Sequence, residues 1–193
     1  MVAFCVAAMI APEMVTPSAA IDVRPTKEQI HAALARGKEA AQQHRLPETF
    51  YVRFGGSDAV QPGGFLITKL GTVSVMAAHM ALRGLEPSQS DIAQVIEAPT
   101  LLVNAVIFGD APSFAMDSYV VLDQRGKAIK PATVRSDGQA RRSAVWPDSP
   151  RFAAKVVASF NYADFDPTAR TIVTIFPTRG GEVSFALDFA QIE

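Results

Sequence analysis

Apolar positions recur with two different periods along the chain, and the period changes near residue 99. Before this point apolar side chains recur at helical spacing, and after it they recur at every second position. The pattern predicts an α+β fold, in which N-terminal helices pack on a C-terminal antiparallel β-sandwich of immunoglobulin-like type. We therefore expect a mainly helical segment over residues 21–98 and a β-sandwich domain over residues 99–193.

Three helices are predicted in the first half. The first begins at the capping-box motif of residues 26–29 and ends before Pro47. A longer and more apolar helix is expected over 65–83, although its β-branched residues leave the first half open to a strand. A third helix follows Ser88 and ends at Pro99.

A short strand and a glycine-rich stretch separate the first two helices. Phe50 to Phe54 alternates like a strand, and the glycines from Gly55 to Gly64 predict a flexible loop. This loop lacks the spacing of a phosphate-binding P-loop. We interpret it as a mobile connection.

The second half predicts seven short strands with turn residues between them. Alternation is clearest late in the chain, in the two segments that start at Phe152 and at Val183. The predicted strands are Leu101 to Phe108, Tyr119 to Asp123, Ala128 to Arg135, Gln139 to Val145, Phe152 to Tyr162, Thr171 to Phe176 and Glu182 to Phe189.

The first twenty residues resemble an export signal. Val2 to Ala11 is a short apolar run, and Ser18-Ala19-Ala20 offers small residues for a signal peptidase. No basic residue precedes the run, and the alternative is a buried N-terminal strand or helix. With a signal peptide over residues 1–20, the mature protein begins at Ile21 and is periplasmic or secreted.

Composition limits the chemistry that is open to the mature chain. Cys5 is the only cysteine, so the mature chain has no disulfide framework, redox pair or cysteine nucleophile. The chain is 49% hydrophobic and 19% charged, which is typical of an ordered protein rather than a disordered tail. No cofactor is expected, because no cofactor motif occurs.

Charge is balanced over the chain but uneven locally. The 18 basic residues oppose 19 acidic ones, which argues against bulk attraction to nucleic acid. Between residues 120 and 160 basic residues predominate, and a basic sheet face could bind an envelope protein or an anionic glycan. The alternative is a solvated face whose charges protect edge strands from aggregation. The candidate binding residues are Arg135, Arg141, Arg142 and Lys155.

His79 is the candidate catalytic residue, and two aspartates are candidate metal ligands. His79 lies in the apolar second helix and could act as a general base, but no nucleophile motif accompanies it. A packed structural histidine is the alternative. Asp164 and Asp166 stand two positions apart, as calcium ligands do, but Asx turns explain the same pair and a calcium site needs six to eight oxygens.

The leading functional hypothesis is an exported, non-enzymatic binding or assembly module of the cell envelope. One alternative is a hydrolase with His79 at a site between helices and sandwich. Another is a carrier of a small apolar ligand along Met76, Met80 and Leu82. A stable membrane span is not expected, because Lys69 and Arg83 interrupt the second helix. The oligomeric state is left open.

Overall fold

A computed structural model of the chain describes residues 20–56 and 58–192. In these ranges three α-helices accompany two antiparallel sheets, which confirms the predicted α+β class. The helices are α1 (Lys27–Gln42), α2 (Lys69–Ala81) and α3 (Gln89–Glu97), and short 3₁₀ turns cover Pro47–Phe50 and Phe189–Gln191. The proposed signal peptide lies outside the described residues, apart from Ala20.

Capping boxes fix the starts of α1 and α3. The Thr26 hydroxyl accepts a hydrogen bond from the Gln29 amide at 3.2 Å, and the Gln29 side chain accepts one from the Thr26 amide at 2.7 Å. Ser88 and Asp91 repeat the arrangement at α3. These bonds satisfy amides that have no partner inside the helix, so the two predicted helix starts are confirmed.

The larger sheet has the strand order β1-β2-β3-β8-β6, and the short strand β7 also pairs with β8. Its longest pairing joins β3 to β8 over ten residue pairs, from Thr100 opposite Asn161 to Gly109 opposite Phe152. The strands are β1 (Val52–Gly55), β2 (Gly63–Ile67), β3 (Thr100–Gly109), β6 (Thr133–Ser136), β7 (Arg141–Arg142) and β8 (Phe152–Asn161).

The smaller sheet has the order β10-β9-β4-β5. Phe185 of β10 lies opposite Val173 of β9, which in turn lies opposite Leu122 of β4. The strands are β4 (Tyr119–Gln124), β5 (Lys127–Ile129), β9 (Arg170–Phe176) and β10 (Val183–Asp188).

The described residues form two apolar clusters. The larger contains side chains from both sheets, such as Phe160 and Ile175, and its first member along the chain is Ile21, which is 1% exposed. The smaller cluster joins Ala33 of α1 to Val73 of α2. Apolar residues at every second position of β3 and β8 place one face of each strand in the larger cluster, as the sequence predicts.

Two expectations for residues 55–83 are wrong. Phe65 to Ile67 belong to β2 rather than to a helix, and Gly63 and Gly64 are strand residues rather than a loop. A Cβ on Gly64 would lie 2.2 Å from the carbonyl oxygen of Asn104. The glycine thus permits the close approach of β3, and this backbone contact outweighs the loop preference that glycine shows in isolation.

Two predicted strands also differ. Ala128 to Arg135 is interrupted at Pro131, so that β5 joins the smaller sheet and β6 joins the larger. Proline donates no ladder hydrogen bond, which explains the break. The expected strand from Gln139 to Val145 contributes only the two residues of β7.

Among the described helices, none combines the length and apolar character that crossing a bilayer requires. The most apolar of them, α2, has 13 residues.

Candidate binding face on the larger sheet

Three of the four predicted basic residues share one face of the larger sheet. Arg135 lies opposite Val157, and Arg141 lies opposite Ala153. Residues directly opposite each other in an antiparallel pair project to the same side. Lys155 is on that side too, because it lies two positions from Val157 and two from Ala153 along β8. The neighbouring residues of β8 enter the apolar cluster, so this face turns away from it.

Arg142 is separated from the other three. It lies opposite Phe152, one position along β7 from Arg141. Its guanidinium carbon is 4.6 Å from the centre of the Trp146 ring, and Trp146 makes an edge contact with Phe152 at 5.4 Å. This cation–π contact holds Arg142 against an aromatic pair. The structure thus brings Arg135, Arg141 and Lys155 to one face and not Arg142.

The register places five residues in one row across the larger sheet. Arg53 lies opposite Phe65, Phe65 opposite Asn104, Asn104 opposite Val157, and Val157 opposite Arg135. Four strand spacings of about 4.8 Å put roughly 19 Å between the two arginine backbones. The row therefore has a cation at each end and aromatic, amide and aliphatic groups between.

A groove of about 490 Å³ lies beside one half of this row. Its wall includes Arg53, Phe65, Phe108 and Arg141, and paired glycines form part of its floor, since Gly55 lies opposite Gly63. Gly55 has a positive φ of 78°, and a Cβ there would lie 2.6 Å from the Gly63 Cα. The absence of both side chains leaves the groove open.

An aromatic stack limits the groove at the β1 end. The rings of Tyr51 and Phe65 are 4.4 Å apart and inclined by 13°. Leu102 lies on the same face and is 40% exposed. The apolar side chains of this face thus stand on β2, β3 and β8. The arginines Arg53 and Arg135 stand on its two edge strands, and Lys155 stands on β8.

The cations of this face make no ion pair within the part of the chain that the structure describes. On the β8 edge the Asp137 carboxylate accepts a hydrogen bond from the backbone amide of Lys155 at 2.8 Å. Asp58 contributes the one carboxylate of the groove wall. Arg53, Arg135, Arg141 and Lys155 therefore leave the face with a positive excess.

The structure places His79 away from both apolar clusters. It is an exposed residue of α2, and its side chain makes no hydrogen bond to another described residue. The alternative of a packed structural histidine does not fit this exposure, because the buried stripe of α2 passes through Val73, Ala77 and Ala78 instead. Its role as a general base stays a prediction.

The apolar-ligand residues proposed on α2 form no enclosed surface of their own. Met76 and Met80 are half-buried, and Leu82 is 56% exposed just beyond the end of the helix. The described cavities lie elsewhere.

Asp164 and Asp166 are engaged in local hydrogen bonds. Asp164 accepts from the Asn161 side chain at 2.9 Å, and Asp166 accepts from the amide and hydroxyl of Thr168 at 2.9 and 2.7 Å. The Thr168 hydrogen bonds hold the pKa of Asp166 below its usual value. No group of three metal-ligating side chains occurs among residues 20–56 and 58–192.

Sequence reasoning missed Arg53, Phe65 and Asn104. The sequence pattern predicts a helix from Phe65, which hides the cross-strand pairing of Phe65 with Arg53 on the far side of the glycine-rich stretch. The pair of glycine-flanked segments Val52–Gly55 and Gly63–Ile67 is a hairpin signal that could have located them.

No protein-family model matches the sequence, and no curated protein matches it significantly.

Proposed function

We propose that this chain is a non-enzymatic binding module of the cell envelope, and that it holds an anionic glycan against the outer face of the larger sheet. The observation that carries the proposal is the row from Arg53 through Phe65, Asn104 and Val157 to Arg135, with an arginine at each end.

The chemistry of the row suits an acidic polysaccharide. A guanidinium binds carboxylate, sulfate or phosphate groups through two parallel hydrogen bonds. The Asn104 amide can both donate to and accept from hydroxyl groups. The apolar C–H faces of sugar rings gain dispersion contacts against Phe65 and Val157. An extended polymer with repeated negative charge can therefore contact both ends of the row at once.

An envelope protein is the competing partner, and the shape of the face favours the glycan. Protein interfaces rely on a central cluster of anchors in deep pockets. Here the row ends in Arg53 on the edge strand β1 and in Arg135 on the edge strand β6, at opposite sides of the sheet. Such separation matches a thin charged chain better than a compact hydrophobic anchor.

We also propose the finer fold and the location. The two sheets are taken to face each other as an immunoglobulin-like sandwich with the helical segment packed on it. Support comes from the apolar cluster that both sheets share. Export with cleavage after Ala20 is proposed from the apolar run Val2 to Ala11 and the small residues Ser18-Ala19-Ala20.

The test is binding of the full chain to polygalacturonate, measured by isothermal titration calorimetry with neutral dextran as the reference polymer. We expect the chain to bind polygalacturonate and not dextran, with an affinity that falls as the salt concentration rises. Arg53→Gln and Arg135→Gln should each weaken it about fivefold, which corresponds to about 1 kcal/mol for a charge-assisted contact at the surface.

Arg142→Gln is the matched control, because Arg142 is on the same edge but stacks on Trp146. Equal weakening by Arg142→Gln would show that only net charge matters and would overturn the proposed row. Absence of polygalacturonate binding, together with saturable binding of a purified envelope protein at the same face, would replace the glycan by a protein partner.

A further inference from the structure

A second cavity lies where four distant parts of the chain meet. Its volume is about 800 Å³, within the range of small-molecule sites. The walls come from residues 23–25, from residues 96–99 at the end of α3 and just after it, and from Tyr162 and Ala163 after β8. Lys69, the first residue of α2, completes the wall. None of these residues belongs to the face proposed above for the glycan.

Lys69 is a buried cation without a carboxylate partner. Lys69 is 8% exposed, and its ammonium donates hydrogen bonds to the backbone oxygens of Val23 and Ile96 at 3.0 and 2.5 Å. No carboxylate forms an ion pair with it within the described residues. Burial lowers the pKa of Lys69, and the charge of Arg24 adds to this effect. The two carbonyls accept from the ammonium but carry no net charge, so an anion in the cavity would gain an ion pair with Lys69.

Tyr162 supplies a hydrogen-bond donor to the same wall. The residue is 7% exposed, and its ring centre is 5.0 Å from the Lys69 ammonium. Its hydroxyl makes no hydrogen bond to a described residue and is accessible to solvent, since no fully buried side-chain oxygen or nitrogen of the described residues lacks a partner. The hydroxyl is therefore free to donate to a molecule in the cavity. Burial raises the pKa of Tyr162 to about 12, so at neutral pH the hydroxyl is a proton donor.

We propose that this cavity binds a small apolar molecule with one carboxylate group. The carboxylate accepts a hydrogen bond from the Tyr162 hydroxyl and faces the positive charges of Lys69 and Arg24. Glu97 also lines the cavity and offsets one of the two cations, so the site favours a single negative charge. The apolar part of the ligand packs on Val23, Pro25, Ile96 and Pro99.

The test compares octanoate with 1-octanol on the full chain by isothermal titration calorimetry. The two probes share the alkyl chain and differ in the charged group. We expect octanoate to bind at least tenfold more tightly than octanol. Tyr162→Phe should weaken octanoate about fivefold, because it removes one hydrogen bond and retains the ring.

Two further variants keep the result decisive. Arg24→Gln, at an exposed position, should weaken octanoate two- to fivefold without affecting folding. Tyr51→Phe is the control, because Tyr51 stacks on Phe65 at the sheet face. Equal affinity for octanoate and octanol, or an unchanged affinity in Tyr162→Phe, would overturn the proposal. Arg53→Gln should leave octanoate binding unchanged, so the two proposed sites can fail separately.

Discussion

Gly37 determines how closely α1 and α2 approach, and Gly37→Ala tests this contact. A Cβ at position 37 would lie 2.2 Å from the backbone oxygen of Ser74 and 2.7 Å from the Cβ of Ala77. Ordinary contacts are about 3.5 Å or longer, so the helices would have to separate by about 1 Å. The obstacle is mainly backbone, which cannot rotate away.

Opposing terms determine the sign of the effect. Alanine improves helix propensity by about 1 kcal/mol over glycine. Overpacking of a buried contact costs about 1–3 kcal/mol, and a rigid backbone neighbour places this case at the upper end. Separation also stretches the buried bond from the Ser74 hydroxyl to the Ala33 carbonyl, now 2.9 Å, at a cost of about 1 kcal/mol. We therefore expect a net loss of about 2–3 kcal/mol in the free energy of unfolding.

Urea unfolding followed by far-UV circular dichroism measures this loss. With a slope of about 2 kcal/mol/M, the midpoint should fall by about 1–1.5 M. Gly138→Ala is the control, because a Cβ at Gly138 meets no atom within 4 Å. That variant should change stability little or raise it slightly. A Gly37→Ala protein as stable as the parent would show that the helices adjust freely, and would refute the reasoning.

Three further predictions concern other parts of the molecule. Between pH 10 and 12 the parent should lose about 2–3 kcal/mol of stability relative to Tyr162→Phe, because tyrosine ionises near pH 10 in the unfolded chain while burial raises the pKa of Tyr162 to about 12 in the folded one. If the urea midpoints of the two proteins followed parallel pH profiles, this prediction would be contradicted. Thr26→Ala should destabilise the protein by about 1 kcal/mol in thermal melts through loss of the α1 cap, whereas Lys27→Ala, just inside the helix, should have a small effect; equal losses would rule out the cap as the cause. Millimolar calcium should leave the Tm unchanged, because Asp164 and Asp166 already accept hydrogen bonds from local donors. A rise of several degrees in the Tm would show that calcium binds to the folded protein.

The sequence predicted those elements in which local signals agree with tertiary packing. The capping motifs at Thr26 and Ser88 gave the correct helix starts, because the cap hydrogen bonds are local. The strand at Phe152 was recognised because it is long and its apolar face alternates without interruption. In each case the deciding interactions lie within a few residues.

The errors arose where a distant strand decides the conformation. Gly63 and Gly64 favour a loop in isolation, yet pairing with β3 makes them strand. The candidate face depends on the same non-local register, so Arg53 could not be associated with Arg135 from spacing alone. From sequence Lys69 is only a charge that interrupts an apolar helix, because its hydrogen-bond partners Val23 and Ile96 are remote along the chain.

The pairing of β3 with β8 has a consequence for the rate of folding. β3 is the central strand of the larger sheet, and both of its neighbours are distant along the chain: β2 precedes it by two helices, and β8 begins at Phe152 after β3 ends at Gly109. Closing such long loops costs entropy before any contact compensates for it. During synthesis one edge of β3 therefore stays unpaired until the chain has been made as far as Asn161, the end of β8. We expect refolding on the millisecond-to-second timescale of β-proteins with non-local strand pairing.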